Sequence, residues 1–262
     1  MAPSANGESR NEWLNSVSCL SAADCVAVGE TSNPRNLIQT LSEVWNGATW
    51  TIVPTPDVQA PGVKKNNALS TVSCSSPTHC AAVGYYVRPN RNTAALIESW
   101  NGTDWSVTAP HVGTMDEVVA LDGTLCTTSS SCIAVGVEGP IPIMDIWNGA
   151  RWTAGTTAEN SGDDVLETVS CALPSWCAAV GYADFGGELQ TLAETEDGPT
   201  WSIESSPNVA SQSNLLYGVS CTSASACVAV GYDAASFTAP KETLTEVWDG
   251  TSWSVTPSPD LG

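Results

Sequence analysis

Basic side chains are scarce in this sequence. It has 8 Lys and Arg residues against 28 Asp and Glu residues, and its formal net charge is −20 at pH 7. A charge of this sign repels nucleic-acid phosphates and anionic membrane surfaces. The chain also has no apolar run near the ~18 residues that a membrane-spanning helix needs. We therefore expect no nucleic-acid partner and no membrane insertion.

Histidine is scarce as well, since the chain contains only His79 and His111. A Ser-His-Asp or Cys-His nucleophile needs a histidine beside it. His79 falls in a short turn between two cysteines, and every cysteine already has a partner in the pattern described next. The sequence is therefore a poor match to nucleophilic catalysis of this kind.

Cysteine, by contrast, is regularly spaced. The ten cysteines form five pairs, each six positions apart: Cys19–Cys25, Cys74–Cys80, Cys126–Cys132, Cys171–Cys177 and Cys221–Cys227. Zinc sites need four converging ligands, usually with shorter Cys spacing, which this pattern does not offer. We predict five disulfides, which persist in oxidising compartments, and hence a secreted protein. The first eight residues lack an apolar signal region, so we expect a mature domain whose signal has been removed.

Each cysteine pair belongs to one sequence repeat. An apolar run ends in Cys, and a second Cys, Ala-Val-Gly, an acidic residue, a Trp-Asn-Gly or similar turn and a final Trp follow. Four short β-type runs separated by turn residues predict four strands, and a period of ~50 residues is typical of repeat folds. We predict an all-β fold, a five-bladed β-propeller with four antiparallel strands and one C-x5-C disulfide per blade. The single domain spans 1–262, with blades at about 13–57, 68–110, 120–157, 165–207 and 215–259.

The repeat resembles two known families. The apolar strand, Ala-Val-Gly, and an acidic or Asn-Gly turn ending in Trp resemble the Asp-box (BNR) repeat of sialidase-like propellers. The order V-S-C, A-V-G and W-N-G-x-x-W also resembles uncharacterised repeats of secreted actinobacterial proteins. The resemblance extends from about Leu14 to Pro257 and implies a fold rather than an activity. The fourth repeat departs from it, with Thr195, Glu196 and Asp197 before Gly198.

Loop lengths indicate where a binding site lies. From the Ala-Val-Gly glycine to the acidic residue the five repeats span 14, 14, 9, 13 and 15 positions, whereas the Cys and Trp turns are constant in length. Binding groups are concentrated on variable loops held by a rigid frame. We therefore predict the site on the face formed by the second-to-third strand loops and the blade-to-blade loops. Its candidate residues are Arg35, Tyr85, Tyr86, Arg88, Arg91, Tyr182, Asp184, Phe185, Glu188, Tyr232, Phe237 and Lys241.

The mixture of aromatic, acidic and basic groups on these loops favours a binding module. We predict a monomeric, lectin-like protein that binds carbohydrate or another extracellular ligand, without a catalytic role. Two alternatives stay open. One is a protein-binding adhesion or scaffold propeller, and the other is a glycoside hydrolase-like enzyme. The paired carboxylates of that enzyme would come from Asp163, Asp164, Asp184 and Glu188.

An acidic residue stands seven positions before the final Trp in every repeat: Glu43, Glu98, Asp145, Glu194 and Glu246. The sequence pattern places it on an apolar strand face, and the chain has too few cations to pair all five. We expect backbone amides of a neighbouring turn to donate hydrogen bonds to these carboxyls. We predict no cofactor, with Ca²⁺ bound by such acids as the alternative. The paired tryptophans, and Trp13 as well, are expected in the core.

Overall fold

The computed structural model describes residues 11–32, 37–58, 66–110, 117–158, 160, 162–173, 176–197, 200–209, 213–236 and 238–258. Within these ranges the chain forms twenty β-strands and no helix. No described segment therefore has the long apolar helix that a membrane crossing requires. The predicted all-β class is confirmed.

Each repeat contributes four strands. The first contains β1 (Asn11–Ser21), β2 (Asp24–Ser32), β3 (Ile38–Trp45) and β4 (Trp50–Ile52). The second contains β5 (Asn67–Ser76), β6 (His79–Val87), β7 (Thr93–Trp100) and β8 (Trp105–Thr108). The third contains β9 (Val119–Thr128), β10 (Ser131–Glu138), β11 (Ile141–Trp147) and β12 (Trp152–Ala154). The fourth contains β13 (Asp163–Leu173), β14 (Trp176–Asp184), β15 (Leu189–Asp197) and β16 (Thr200–Ile203). The fifth contains β17 (Ser213–Ser223), β18 (Ala226–Ala234), β19 (Glu242–Trp248) and β20 (Trp253–Val255).

Within every repeat the four strands lie side by side in sequence order, and neighbouring strands are antiparallel, as in the first sheet. The fourth and fifth sheets are also joined by one parallel pairing, between Leu189 and Ser213. The same positions of the first and second repeats, Ile38 and Asn66, form an isolated parallel bridge. In these two pairs of repeats, the third strand of one therefore begins near the first strand of the next.

The glycine of Ala-Val-Gly is required by a bulge in the first strand. The register between β5 and β6 shifts after Leu69, which leaves Ser70 as an extra residue. A Cβ on Gly84 would overlap the carbonyl oxygen of Ala68. Only glycine allows the two backbones to approach so closely. The same overlap exists at Gly29, Gly181 and Gly231.

The Trp-Asn-Gly turn is closed by its own side chain. The Asn46 Oδ1 atom accepts hydrogen bonds from the backbone amides of Ala48 and Thr49, at 3.0 and 2.9 Å. Gly47 follows with a φ of 90°. The Trp45 indole nitrogen donates to the carbonyl oxygen of Ala22, in the turn between the first two strands. The two constant turns of a repeat are thus bonded to each other.

The five predicted disulfides are present. Each joins the first strand of its repeat to the second, and Cys171 and Cys177 are direct register partners. The four other bridges join Cys19–Cys25, Cys74–Cys80, Cys126–Cys132 and Cys221–Cys227. Each disulfide therefore closes the hairpin that begins its repeat.

The chain divides into two compact units. Unit 1 comprises Met1–Ala134 and Asp145–Ala154, and unit 2 comprises Val135–Met144 and Gly155–Gly262. In unit 1, Val28 of the first sheet packs with Leu69 of the second, and in unit 2, Val180 of the fourth sheet packs with Leu216 of the fifth. Each core thus lies between successive sheets.

The expectation that Trp13 is buried is wrong. Its side chain is 50% exposed, and the neighbouring Leu14 is 42% exposed. The residue equivalent to Leu14 in the second repeat, Leu69, is fully buried. The difference arises because, within unit 1, the second sheet covers the other side of the first sheet, where Val26 and Val28 lie.

Candidate functional site

Three tyrosines of unit 2 form a cluster with one acid and one base. The rings of Tyr217 and Tyr232 are 5.9 Å apart between centroids, and the Lys241 Nζ atom lies 3.9 Å from the centre of the Tyr232 ring. Tyr182 and Glu167 lie close enough to Tyr217 to act on its ionisation. We call these five residues the tyrosine cluster. It offers aromatic faces, hydroxyls, a carboxylate and an ammonium group to one ligand.

The backbone of the first strands positions this cluster. Tyr217 is the extra residue of the bulge in β17. Tyr232 lies on the neighbouring strand β18, where it is the register partner of Leu215. Glu167 occupies the same bulge position in β13. Because β13 and β17 lie next to each other, their two bulge residues become neighbours. The bulge turns these side chains out of the regular alternation of the strand.

Tyr217 is 49% exposed and its phenol stays protonated. Partial burial, the adjacent Tyr232 and the Glu167 carboxylate together raise the pKa of Tyr217 to about 12. Its hydroxyl is therefore a neutral donor and acceptor at every physiological pH. A half-exposed ring with a neutral hydroxyl can stack on a ligand and hydrogen-bond to it.

A related group lies in unit 1. Tyr85, the residue after Ala-Val-Gly in the second repeat, is near the carboxyls of Glu30 and Asp122. Burial and these two acids raise the pKa of the Tyr85 phenol. Burial alone raises the pKa of Asp122 to about 6. This group is more acidic than the tyrosine cluster and has a single aromatic ring.

Tyr86 and Tyr85 do not share a site, because successive strand residues point to opposite faces. Tyr86 and Arg88 line a separate cavity of about 320 Å³ on the second sheet, together with Leu96 and Val58. Arg91 lies at the tip of the following turn, exposed and with a φ of 72°. These four candidates therefore do not share one surface, since only Tyr86 and Arg88 line the same cavity.

The loop after β14 uses its polar groups internally. The Asp184 carboxylate accepts a hydrogen bond from the Gly187 amide, and the Phe185 amide donates to the Glu188 carbonyl oxygen at 3.0 Å. The Glu188 carboxylate accepts a bond from the Gln190 side chain at 3.2 Å. These contacts hold the turn in shape, and the Phe185 ring remains on its surface.

The candidate carboxylates for hydrolysis are divided between surface and core. Asp163 is exposed and is the register partner of Asp184. Asp164 is buried, and its carboxylate accepts a hydrogen bond from the Asn160 amide at 2.9 Å. Its own amide donates to the Pro140 carbonyl oxygen at 2.9 Å. Asp164 therefore fastens a linker to the fourth sheet.

The repeated acidic residue is buried in every sheet: Glu43, Glu98, Asp145, Glu194 and Glu246. The Glu194 carboxyl accepts a bond from the Ala158 amide at 3.1 Å, and Glu246 accepts one from the Ser206 hydroxyl at 2.6 Å. Both donors lie in the linker that follows the preceding sheet. Burial raises the pKa of Glu98 to about 8 and that of Glu194 and Glu246 to about 7.

One group of potential metal ligands occurs among the described residues, namely His79, Cys126 and Cys132. The two cysteines are joined as a disulfide, so they offer no thiolate to a cation. This group therefore completes a packed turn rather than a metal centre.

Loop lengths point to neither Glu167 nor Asp122, and they do not predict that Tyr217 lies beside Glu167. These residues stand four positions before the first cysteine of their repeats, where the other two repeats have Asn15 and Ser70. The sequence did offer one signal for these residues, because the residue type at this position varies widely between repeats although the strand has a constant length. Two predicted residues, Arg35 and Phe237, lie outside the described residues.

No protein-family model matches this chain, and no curated protein matches it significantly. Solved structures do match. The structure of YCF48 bound to D1 peptide has a TM-score of 0.55 and 12% identity, covering 97% of this chain and 71% of that one. A PL25 ulvan lyase, a polysaccharide lyase bound to -[GlcA(1-4)Rha3S]-, has a TM-score of 0.51 and 9% identity, with coverages of 88% and 68%. Both are β-propeller proteins, and this likeness supports a β-propeller fold for the chain.

Proposed function

We propose that this protein is a carbohydrate-binding module whose ligand contacts the tyrosine cluster. The observation that carries the proposal is the pair of rings of Tyr217 and Tyr232, flanked by the Glu167 carboxylate and the Lys241 ammonium group. Sites for small ligands combine apolar or aromatic surface with a few converging polar groups. A sugar offers both an apolar ring face and hydroxyls, and so matches this combination.

The charge of the chain narrows the class of sugar. A net charge of −20 disfavours the approach of sulfated or carboxylated polysaccharides. The acidic group around Tyr85 adds to this repulsion in unit 1. We therefore expect neutral oligosaccharides as ligands.

An array of neutral and anionic glycans tests this function. Wild-type protein should bind neutral glycans, and Tyr217→Ala and Tyr232→Ala should each weaken binding by ~10-fold or more, the loss of one stacking contact. Ile203→Ala is the matched control, because this residue is exposed on β16 and lies outside the cluster. Equal binding by all four proteins would contradict the proposal.

Two other outcomes would assign a different function. Turnover of a bound polysaccharide, lost in Asp184→Asn or Glu188→Gln, would indicate a glycoside hydrolase. Binding of a peptide or protein but of no glycan would indicate a scaffold or adhesion propeller. The glycoside hydrolase stays an alternative because Asp163 and Asp184 are register partners on β13 and β14.

We also propose that the five repeats are the five blades of one propeller that spans 1–262. In this proposal the turns are Asp-box-like and the protein is a monomer. The four-stranded sheets and their constant turns support this reading. The five disulfides favour secretion into an oxidising environment.

A further inference from the structure

A cavity of about 470 Å³ lies on the first sheet, within unit 1. Its described lining comes from β1 to β4 and from the linker that follows β4. The volume falls within the range of ~300–1,000 Å³ that is common for small-ligand sites in proteins. The cavity is therefore large enough for a small ligand, and its lining indicates the chemistry of that ligand.

A row of three polar side chains lines one part of the cavity. Thr31 on β2 is the register partner of both Glu12 on β1 and Gln39 on β3. Register partners on neighbouring strands point to the same face of a sheet, so these side chains lie side by side. All three line the cavity, and they form one continuous polar wall.

The hydroxyl at the centre of this wall is unpaired. Thr31 is only 6% exposed, and its Oγ1 atom has no hydrogen-bond partner among the described residues. Buried polar groups in proteins are almost always hydrogen-bonded, because an unpaired one destabilises the fold. A ligand hydroxyl in the cavity would supply the partner that Thr31 lacks.

The linker after β4 holds the polar wall in place. The Gln39 Nε2 atom donates a hydrogen bond to the Asp57 Oδ2 atom at 2.6 Å, and the Thr40 amide donates to Asp57 Oδ1 at 3.1 Å. The hydroxyl oxygens of Thr40 and Thr55 are also hydrogen-bonded, at 2.7 Å. These bonds fix the Gln39 side chain and the linker before a ligand arrives, which lowers the entropy lost on binding.

The rest of the described lining is mainly apolar, and its charges are negative. The apolar part includes Ile52, Val53 and Pro54. Glu12 and Asp57 are the charged residues of the described lining, which contains no basic side chain. Such a lining repels carboxylated and sulfated ligands. A neutral sugar matches it, because a sugar has hydroxyls at its edge and C–H groups on its faces.

We propose that this cavity is a second saccharide site, separate from the tyrosine cluster, and that its ligand is a neutral sugar. The inference rests on the proposed carbohydrate-binding function. In this arrangement the Thr31 hydroxyl is hydrogen-bonded to a hydroxyl of the sugar. A C–H face of the sugar ring packs against Ile52 and Pro54.

Methyl NMR of the full chain tests the site. The Ile52 δ1-methyl group reports on the cavity. Ile203 is the matched control, because it pairs with Glu194 in the fourth sheet as Ile52 pairs with Glu43 in the first, and both isoleucines are 38% exposed. Maltose, cellobiose, lactose and N,N′-diacetylchitobiose are suitable neutral probes. At least one of them should shift the Ile52 signal in a saturable way and leave the Ile203 signal in place.

Variants of Thr31 separate a binding role from a structural one. Thr31→Val removes the hydroxyl and keeps the branched shape, so it should weaken binding at the cavity by ~5-fold or more through the loss of one hydrogen bond. Its Tm should equal that of the wild type or rise, because the hydroxyl has no partner in the free protein. Thr31→Ser keeps the hydroxyl and should bind like the wild type.

Three results would overturn the cavity site: an Ile52 signal that none of the four disaccharides moves, a shift that Thr31→Val leaves unchanged, or a shift that disappears in Tyr217→Ala. Shifts of the Tyr217 and Tyr232 ring signals in the same titrations would then still support the proposed function. An Ile52 shift without any tyrosine shift would support the cavity site and contradict binding at the tyrosine cluster.

Discussion

The burial and ionisation of a single residue in this protein depend on its position in the repeat. The same acidic residue is buried in all five sheets, and three of these carboxyls have a raised pKa because burial disfavours their charged form. Such an acid remains protonated in the folded state at a pH where the unfolded chain has already lost its proton. Stability then depends on pH through these residues.

Glu98 should make the protein less stable as the pH rises. Its pKa is about 8 in the folded state against an ordinary 4.5, so its contribution is complete below 4.5 and is lost between 4.5 and 8. Across that window one such group removes about 1 kcal/mol of unfolding free energy per pH unit. Glu98→Gln should therefore flatten the dependence of Tm on pH from 5 to 8.

Glu188→Gln is the control for this prediction, because Glu188 is exposed on a loop. It should leave the pH profile of Tm as in the wild type. An unchanged profile in Glu98→Gln would show that the Glu98 carboxyl is already charged in the folded protein.

Gly84 should be intolerant of a side chain. A Cβ there would overlap the Ala68 carbonyl oxygen at the bulge, so Gly84→Ala should lower the free energy of unfolding by ~2 kcal/mol or more. Gly218→Ala is the matched change, because its Cβ would meet only a Val230 side-chain methyl at 3.1 Å. Urea unfolding of both variants measures the difference, and equal losses would argue against the bulge as the cause.

At the scale of elements, three of the described linkers are hydrogen-bonded to the sheet that follows them. Asn214 shows how: its side chain accepts from the Val209 amide at 2.8 Å and donates to the Leu189 carbonyl oxygen at 3.3 Å. The linker and the third strand of the fourth repeat are thereby fixed to the first strand of the fifth. The third repeat lacks this side chain, since it has Val119 at that position.

Asn214→Leu should weaken this connection. It removes both hydrogen bonds, each of which contributes ~1 kcal/mol to the free energy of unfolding. Thermal unfolding should show a lower Tm, while Ser254→Ala, an exposed change on β20, should leave Tm unaltered. A neutral Asn214→Leu would mean that water replaces both bonds.

The sequence predicts these elements well and their side-chain clusters poorly. The fixed spacing of Cys, Gly and Trp determines the four strands and the disulfides, because each is a local turn or hairpin. Tyr217 and Glu167 become neighbours only because bulges in two separate strands rotate them to one side. The alternation of side chains along a strand does not predict a bulge. Asp164 is a second case, because its backbone amide bonds to the carbonyl oxygen of Pro140, which is distant in the sequence.

At the scale of the whole molecule, the first and last repeats differ from the middle ones. Leu14 and Val17 of the first sheet are exposed, and so are Val228 and Val230 of the fifth. By contrast, Leu166 of the fourth sheet, which is equivalent to Leu14, is fully buried. Exposed apolar patches on a soluble protein commonly mark contact surfaces. We therefore expect the exposed face of the first sheet around Leu14 and Val17 to be a contact surface.

Leu14→Ser tests this expectation. If a contact covers this side chain in solution, the change should lower the free energy of unfolding by ~2 kcal/mol or more, comparable to Leu166→Ser. Chemical unfolding of the two variants gives the comparison. A Leu14→Ser protein as stable as the wild type would show that the side chain is exposed in solution as well.

Tyrosine-selective NMR shows whether carbohydrate binds at the tyrosine cluster. The chain contains five tyrosines, so each ring signal can be assigned by substitution. During titration with a neutral oligosaccharide selected on the array, we predict that the signals of Tyr182, Tyr217 and Tyr232 shift together. Tyr86, which lines the cavity of the second sheet, should not shift. A titration that moves only Tyr86, or no tyrosine at all, would contradict the account.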